Sequence, residues 1–399
     1  IMIPNKDTFC IAPFQHACLN SKGFINVCCV SKETNKYKYK YHELEKWYNS
    51  DTLNKLRSDL INGVQNPTCK TCWAAEVSNK ISQRQIYNKH IGKILEKHWN
   101  KNFEQNKKLI DVVSNIDYKN INSFDLKLGN LCNLKCIMCG AGSSSQLLAE
   151  AKLNPELKEF YGDDDQKNYN WPDSKEFKEW CKTFLGSSIH IKFTGGEPFM
   201  NPYLLECLES IPDDQKKKCI LHFTTNLTII NNDIIKILSG FKETWISVSI
   251  EGIDKVLEYA RFGHKWKDLE KNLMLLIKDR PKNLFVSVSH VVQSPTFAGI
   301  VDLINYCDKL KIKLEPLFLH SPECFQLSSI KKHIKEEFLN QIKGYKGYNI
   351  SYVDVVCSFI KKNIEYNPVL AKQCVRRLEI TDRVRKNDFK EIIPIDYFI

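Results

Sequence analysis

The sequence predicts an α/β fold with parallel strands, and two observations carry that prediction. From residue 121 to about 325, short runs rich in β-branched and aromatic residues alternate with longer segments of helical periodicity. Such alternation is typical of βαβ units, in which each helix crosses back over a parallel sheet. In addition, the residue clusters that suggest chemistry follow the ends of the strand candidates, where parallel α/β folds place their reactive groups.

The alternation gives six β/α units. The predicted strands are Ser123–Leu128, Ile189–Thr194, Ile220–Thr225, Trp245–Ile250, Leu284–Val291 and Ile312–Phe318. Helices predicted between them include Asp173–Leu185, Asn232–Leu238, Lys265–Ile277 and Phe297–Leu310. The predicted domains are a cysteine-rich module over 1–95, a helical linker over 96–120, the α/β unit over 121–325 and a helical C-terminal extension over 326–399.

Composition narrows the class of protein. The 399 residues carry a net charge of +11 and 16 cysteines. No apolar run approaches the roughly 20 residues that span a bilayer, and no secretory signal opens the chain, so we expect a cytoplasmic protein without a membrane partner. Clustered cysteines in such a chain indicate metal rather than disulfides. The lysines are spread over many segments, so nucleic acid is not expected as a partner.

A cysteine loop follows the first predicted strand. Cys132, Cys136 and Cys139 have the spacing C-x3-C-x2-C. Thiolates are the usual ligands of iron–sulfur clusters, and three ligands on a four-iron cluster leave one iron open. Zinc is the alternative, although structural zinc sites use four ligands.

The second predicted strand ends in Gly195-Gly196-Glu197. The glycines let the backbone approach a ligand closely, and the carboxylate can accept hydrogen bonds from an ammonium group. This turn ends the first strand after the cysteine loop. Together the two motifs resemble the signature of the radical S-adenosylmethionine (SAM) superfamily. The resemblance implies an open, partial (β/α)6 TIM-type barrel that binds a three-cysteine [4Fe–4S] cluster and SAM. It also implies reductive cleavage of SAM to a 5′-deoxyadenosyl radical that takes a hydrogen atom from the substrate.

The same resemblance assigns residues to SAM. Besides the glycines and Glu197, which would bind the methionyl amine, the expected cofactor residues are Thr225, Asn226, Ser249, Glu251 and Arg261. Strand alternation puts Ser249 and Glu251 on one face, and Arg261 is either the partner of the SAM carboxylate or a surface arginine. The fifth strand is expected to pass the adenine, and alternation lets His290 or Gln293 face the cavity, but not both.

The sixth strand leads to the expected catalytic residues His320, Glu323 and Cys324, placed where a substrate would meet the radical. A lone histidine is more often a structural residue, and that alternative stays open for each of the three.

The N-terminal module carries a second cysteine pattern. Cys10 and Cys28 flank Gly23 as C-x12-G-x4-C, and Cys69 and Cys72 form a C-x2-C pair. Gly23 suits a hairpin turn, and the C-x2-C pair is expected at a short helix. The pattern resembles the first half of the SPASM/twitch motif, which implies an auxiliary [4Fe–4S] cluster with these four cysteines as ligands. In most relatives the module follows the barrel, whereas here it precedes it.

Alternatives remain for this module. A structural zinc site fits the same four cysteines, and Cys29 or, less readily, Cys18 is a possible substitute for Cys28. Arg84 is expected either to bind an anionic group or to form an ion pair with Glu76.

The implied function is a radical SAM enzyme of oxidoreductase type that uses an external electron donor such as flavodoxin or ferredoxin. The resemblance favours net oxidation or crosslinking of a ribosomally made peptide, with the auxiliary cluster as electron acceptor. The alternative is oxidation or epimerisation of a sugar, aminocyclitol or nucleotide-type molecule. A more distant one is a non-catalytic zinc or iron–sulfur module that binds RNA.

Overall fold

A computed structural model describes residues 7–31, 38–77, 81–89, 92, 117–162, 169–278 and 280–399. The strands are β1 (His16–Leu19), β2 (Ile25–Asn26), β3 (Ser123–Leu126), β4 (Lys135–Cys136), β5 (His190–Phe193), β6 (Ile220–Thr225), β7 (Glu243–Ser249), β8 (Arg261–Phe262), β9 (Leu284–Val292) and β10 (Lys313–Phe318). The predicted linker 96–120 lies outside the described residues up to residue 116.

The helices occupy much of the remaining described chain. Residues 83–89 are helical, and the other α-helices are Ala12–Gln15, Leu44–Tyr48, Asp51–Ile61, Lys70–Val77, Ser145–Leu153, Lys158–Tyr161, Lys175–Phe184, Tyr203–Glu209, Asp213–Lys216, Asn232–Ser239, Asp254–Ala260, Trp266–Ile277, Ile300–Leu310, Lys332–Gln341, Ile350–Lys362 and Pro368–Arg385. None in the described part of the chain combines the length and the apolar character that crossing a bilayer requires.

The predicted α/β class is confirmed, and so are its elements. All six predicted strands are present as β3, β5, β6, β7, β9 and β10, within two residues of the predicted ends. The helical C-terminal region is also confirmed, because three long helices fall between residues 332 and 385. The sequence did not predict β1, which pairs in parallel with β3.

The chain forms two compact units. Unit 1 comprises Ile1–Gly129, Gln166–Phe223 and Ile237–Thr244, and unit 2 comprises Asn130–Asp165, Thr224–Lys236 and Trp245–Ile399. In unit 1 the strand order is β2-β1-β3-β5-β6, with parallel pairs except for the β1–β2 hairpin. In unit 2, β10 pairs in parallel with β9, which neighbours β7. The predicted domain boundaries therefore stay predictions, since the units interleave along the chain.

One face of the unit 1 sheet is apolar. Two rows of paired residues across β1, β3, β5 and β6 are at most 1% exposed, namely Ala17, Phe124, Ile191 and Leu221, and Leu19, Leu126, Phe193 and Phe223. Helix Lys175–Phe184 packs here, with the rings of Trp180 and Phe124 5.2 Å apart. Burial of these rows supplies the hydrophobic stabilisation of the unit.

Unit 2 repeats this division. Along β9, Val288, His290 and Val292 are buried, and the His290 ring contacts Tyr352 of helix Ile350–Lys362. On the opposite face the hydroxyl of Ser287 contacts that of Ser247 on β7 at 3.3 Å. The helices thus cover the face of Val288 and Val292, and the opposite face carries the serines beside apolar side chains such as Phe285. Cys181, Cys207, Cys219 and Cys307 are at most 2% exposed and belong to the core.

Candidate functional site

The three predicted cluster cysteines converge in unit 2. Cys132 and Cys136 are buried and pack against half-buried Cys139. The loop is held by backbone bonds and by two serines at the start of helix Ser145–Leu153. Ser144 Oγ donates to the Leu134 carbonyl at 2.6 Å, and Ser145 Oγ bonds to both the nitrogen and the carbonyl of Cys132.

Two N–H donors reach the sulfurs of this loop. Arg261 Nη1 lies 3.6 Å from Cys136 Sγ, and Asn226 Nδ2 lies 3.9 Å from Cys132 Sγ. A hydrogen bond from the Cys139 thiol and the Arg261 charge lower the pKa of Cys136 against the effect of burial, whereas the pKa of Cys139 is raised. Guanidinium and amide groups donate to thiolates and do not ligate iron, so these contacts are compatible with the three sulfurs as metal ligands, which stays a prediction.

Arg261 is engaged by Glu251 as well. The Glu251 carboxylate accepts from Nε at 2.5 Å and from Nη2 at 2.7 Å. Burial alone lowers the pKa of Arg261, but Glu251 and Cys136 raise it above its usual value. The expectation of an isolated surface arginine is wrong, because Arg261 is 8% exposed and paired. Its expected contact with the SAM carboxylate stays a proposal.

The C-terminal helix Pro368–Arg385 supports the cysteine loop. Arg377 Nη2 donates to the Ile137 carbonyl at 2.9 Å. Arg385 pairs with Glu150 at 2.8 Å, and Glu150 also binds Lys135, the residue before Cys136. Neither arginine was predicted, because the partners are more than 200 residues apart in the chain and no local pattern joins them.

The remaining SAM candidates of unit 2 lie at strand ends. The Thr225 hydroxyl accepts from the Leu227 nitrogen at 2.9 Å, and Asn226 Nδ2 donates to Asn133 Oδ1 at 3.1 Å. Asn226 therefore connects the third predicted strand with the cysteine loop. Ser249 is half-buried at the end of β7, on the same face as Ser247.

A buried amide on the polar face lacks a protein partner. Gln293 follows β9 in extended conformation and is 0% exposed, and neither of its amide atoms finds a partner within the described chain. Alternation puts it on the face of Ser287, whereas His290 and Ser294 face the helices. Of the two residues left open by the sequence, Gln293 is the one on the polar face.

The GGE turn lies in unit 1. Gly195 and Gly196 have positive φ values of 75° and 56°, and a Cβ on Gly195 would lie 2.9 Å from the Cβ and Cγ of Lys127. Glu197 is 1% exposed, and its carboxylate accepts from the Phe199 nitrogen at 3.3 Å. The turn thus has room for the stem of Lys127 only because glycine stands there. Lys127 was not singled out from the sequence, although it lies within the first predicted strand.

The expected catalytic residues stand around a short turn after β10. His320 and Glu323 are exposed and Cys324 is half-buried. Burial raises the pKa of Cys324, and Arg377 lowers it in part. Their catalytic roles stay predictions.

The four cysteines of the second pattern line one cavity in unit 1. Cys10, Cys28, Cys69 and Cys72 share it with Arg84 and Tyr87, among others. Burial and the neighbouring thiols Cys69 and Cys72 raise the pKa of Cys10. Burial and the thiols of Cys29, Cys10 and Cys72 raise that of Cys28.

The local structure around this cavity follows the predictions. Gly23 turns the β1–β2 hairpin with a φ of +77°, and Cys69 and Cys72 stand at the start of helix Lys70–Val77. Arg84 pairs with Glu76 at 2.7 Å, so the ion-pair alternative is confirmed. Cys29 is exposed and contacts the Tyr87 hydroxyl at 4.0 Å.

The described residues hold no group of three or more His, Cys, Asp or Glu side chains close enough to share a single metal ion. Ligands of a cubane cluster each bind a different iron, so they stand further apart than four ligands of one zinc ion. Both cysteine sets have the donor chemistry for such a cluster.

Comparison with known proteins defines the class. Residues 126–306 match the family model described as the radical SAM superfamily, and this segment contains the cysteine loop, the GGE turn and four of the six predicted strands in full. The matched segment therefore identifies a radical SAM domain within this chain.

Among individual proteins, an uncharacterized protein of Methanocaldococcus jannaschii, MJ0907, is 25% identical over 232 residues, which cover 56% of this chain and 72% of the relative. Two solved structures are also similar. Native anSMEcpe with bound AdoMet is 19% identical with a TM-score of 0.39, and the match covers 55% of this chain and 59% of the anSMEcpe chain. Streptococcus suis SuiB bound to precursor peptide SuiA is 15% identical with a TM-score of 0.37, and the match covers 66% of this chain and 60% of the SuiB chain.

Proposed function

We propose that this protein is a radical SAM enzyme that oxidises its substrate by hydrogen-atom abstraction. When bound, the cluster and SAM supply one-electron chemistry, namely reductive cleavage of SAM followed by removal of a hydrogen atom from the substrate. The observation that carries the proposal is the convergence of Cys132, Cys136 and Cys139 beside two N–H donors in a segment that matches the superfamily.

The chain's own residues have distinct tasks in this proposal. The three thiolates hold the cluster, and Glu197 accepts from the amine of SAM. Arg261, held by Glu251, presents its guanidinium to Cys136 Sγ and to the carboxylate end of SAM. Buried Gln293 offers a donor and an acceptor of the kind that pair with an adenine edge. A water-poor site is required, since solvent would quench the chemistry.

Cys10, Cys28, Cys69 and Cys72 hold an auxiliary [4Fe–4S] cluster in this proposal. Bound by these four thiols, such a cluster would supply an acceptor for the one electron that the substrate gives up, together with one proton, after hydrogen abstraction. An external donor such as flavodoxin or ferredoxin supplies the electron that cleaves SAM. The shared cavity of the four thiols supports this assignment.

The experiment is anaerobic reconstitution with iron and sulfide, followed by dithionite and SAM. Two clusters predict about eight irons per chain, and wild-type protein is expected to form 5′-deoxyadenosine. The triple variant Cys132→Ala, Cys136→Ala, Cys139→Ala is expected to lose the product and about half of the iron. Zinc in place of iron, or loss of all iron in the triple variant, would contradict the two-cluster assignment.

For the substrate, we propose a ribosomally made peptide, as in SuiB, whose structure is described with its precursor peptide. A small polar molecule is the second candidate, favoured by the charged residues beside the GGE turn. Extracts of cells grown in D2O, separated into peptide and small-molecule fractions, distinguish the two. The fraction that yields deuterated 5′-deoxyadenosine contains the substrate.

A further inference from the structure

The face of the unit 1 sheet opposite the apolar rows is mostly polar, with Ile220 as an apolar exception. One row of directly paired residues consists of Cys18, Asp125, Lys192 and His222. Large branched apolar residues normally fill this position in closed barrels. A row of charged and polar side chains here indicates a surface that binds a ligand rather than a core.

Two ammonium groups on this face form no direct ion pair among the described residues. Lys127 and Lys192 are both half-buried, and within the described residues neither forms an ion pair with a carboxylate within 4.0 Å. Lysine is rarely buried without a partner because its desolvation is costly. Although burial lowers the pKa of Lys127, Cys18 and Asp125 raise it above its usual value, so this group stays charged.

The neighbouring carboxylate does not neutralise the pair. Asp125 is 1% exposed and accepts a hydrogen bond from Thr194 Oγ1 at 2.9 Å, with Thr194 directly before the GGE turn. One buried carboxylate among two ammonium groups leaves an excess of one positive charge. Asp125 also remains able to accept from a hydroxyl or amine of a bound molecule.

The face reaches from the GGE turn to the cavity of four cysteines. At one end the stem of Lys127 lies against Gly195. At the other, Tyr87 lines that cavity and its hydroxyl contacts His16 Nε2, on the same face, at 3.2 Å. A molecule bound here would touch both the SAM-binding turn and the wall of the auxiliary site.

We propose that this polar face is the substrate site and that Lys127 and Lys192 bind an anionic group of the substrate, a carboxylate or a phosphate. The inference rests on the proposed function and names the substrate class for it. Two lysines act on such a group as point charges. Asp125 orients the neighbouring polar atom of the same molecule.

The test uses the reconstituted enzyme and the deuterated cell extract. The extract is divided on an anion exchanger, and each fraction is assayed for deuterium transfer into 5′-deoxyadenosine. We expect the active component in the retained, anionic fraction. Alkaline phosphatase then separates the two sources, since it destroys a phosphate monoester and leaves a carboxylate intact.

Variants of Lys127 and Lys192 test whether the active component binds through these two lysines. Lys192→Gln and Lys127→Gln are expected to raise the concentration needed for half-maximal deuterium transfer about ten- to a hundredfold, because each removes a charge-assisted hydrogen bond. Lys192→Arg, which keeps the charge, is expected to restore most of the transfer. Lys182→Gln, an exposed lysine on helix Lys175–Phe184, is the matched control and should behave as wild type.

Uncoupled cleavage of SAM without extract checks that each variant is folded and loaded. If wild type forms no 5′-deoxyadenosine, the proposed function fails together with this inference. If wild type is active but the active component passes through the anion exchanger, or if both glutamine variants transfer deuterium as well as wild type, the anionic-substrate inference alone is overturned.

Discussion

Arg377 donates a hydrogen bond to the backbone carbonyl of Ile137, inside the loop that carries the three cluster cysteines. The guanidinium is 4% exposed and stacks over the Phe325 ring at 4.8 Å. Burial lowers its pKa below the usual arginine value. The C-terminal helix Pro368–Arg385 thus holds Ile137 in place within the cysteine loop.

Replacing Arg377 by Met is expected to lower the free energy of unfolding by about 1–3 kcal/mol, because a buried carbonyl loses its donor. We also expect less iron in the three-cysteine site after reconstitution. Arg376→Met is the control, since Arg376 is exposed and pairs with Glu159 on the surface. Urea unfolding and iron analysis measure both effects. Equal behaviour of the two variants would contradict the supporting role of Arg377.

Removing Glu251 leaves the Arg261 charge buried without its partner. Glu251→Ala is therefore expected to lower the free energy of unfolding by about 3–5 kcal/mol. Glu179→Ala breaks an exposed pair with Lys182 and should cost no more than about 1 kcal/mol. Urea titrations at one pH and salt concentration compare them. A Glu251 variant as stable as the Glu179 variant would show that Arg261 is solvated.

Alanine variants of Gly195 and Gly344 distinguish the cost of backbone strain from the cost of steric crowding. Both have positive φ, but only Gly195 has a side chain, Lys127, where a Cβ would be. Gly344→Ala is expected to cost about 1–2 kcal/mol. Gly195→Ala should cost more and also weaken SAM binding, measured by equilibrium dialysis, whereas Gly344→Ala should bind SAM normally. Unimpaired SAM binding by Gly195→Ala would count against a role of this turn in the cofactor site.

Cys28 and Cys29 are adjacent but face different surroundings. Cys28 lines the cavity with the other three thiols, and Cys29 is exposed. Cys28→Ser is expected to retain about four of the roughly eight irons of two four-iron clusters, whereas Cys29→Ser should keep them all. Iron and sulfide analysis after reconstitution decides this. The opposite result would make Cys29 the ligand.

His290 makes stability depend on acidity. Burial lowers its pKa to about 3, whereas histidine in an unfolded chain titrates near pH 6.5. Between these values the unfolded chain binds a proton that the folded chain does not. The stability from neutral His290 is therefore complete above about pH 6.5 and falls on acidification by about 1.4 kcal/mol per pH unit.

His290→Gln should consequently flatten the decline of unfolding free energy between about pH 6.5 and pH 4. His333→Gln, at an exposed position of helix Lys332–Gln341, serves as the control and should keep the wild-type slope. Urea titrations at several pH values provide the measurement. An unchanged slope for His290→Gln would mean that the ring takes up a proton equally in the folded and the unfolded chain.

The features that the sequence predicted are those that depend on neighbouring residues in the chain. The six strands and the turns at Gly23 and Gly195 depend on alternation and on backbone conformations that neighbouring residues determine. Short cysteine spacings are local in the same sense. These features could be read without knowledge of the distant chain.

What was missed is long-range or lacks a periodic signal. The four residues of β1 are buried on both faces, so no alternation marked them as a strand. Arg377 meets Ile137 across 240 positions. Arg261 was left between two roles because only the structure brings Glu251 and Cys136 to it. Lys127 stood in a predicted strand, but its place against Gly195 depends on the pairing of β3 with β5.

The alternating rows of the unit 1 sheet place apolar side chains on one face and mostly polar side chains on the other. Substitutions on the buried apolar side create cavities and cost folding energy, whereas exchanges among the polar side chains opposite leave that packing untouched. If the polar face is the substrate site proposed above, substitutions of its half-buried lysines would change substrate preference without disturbing the apolar packing, and laboratory evolution of this protein should begin there.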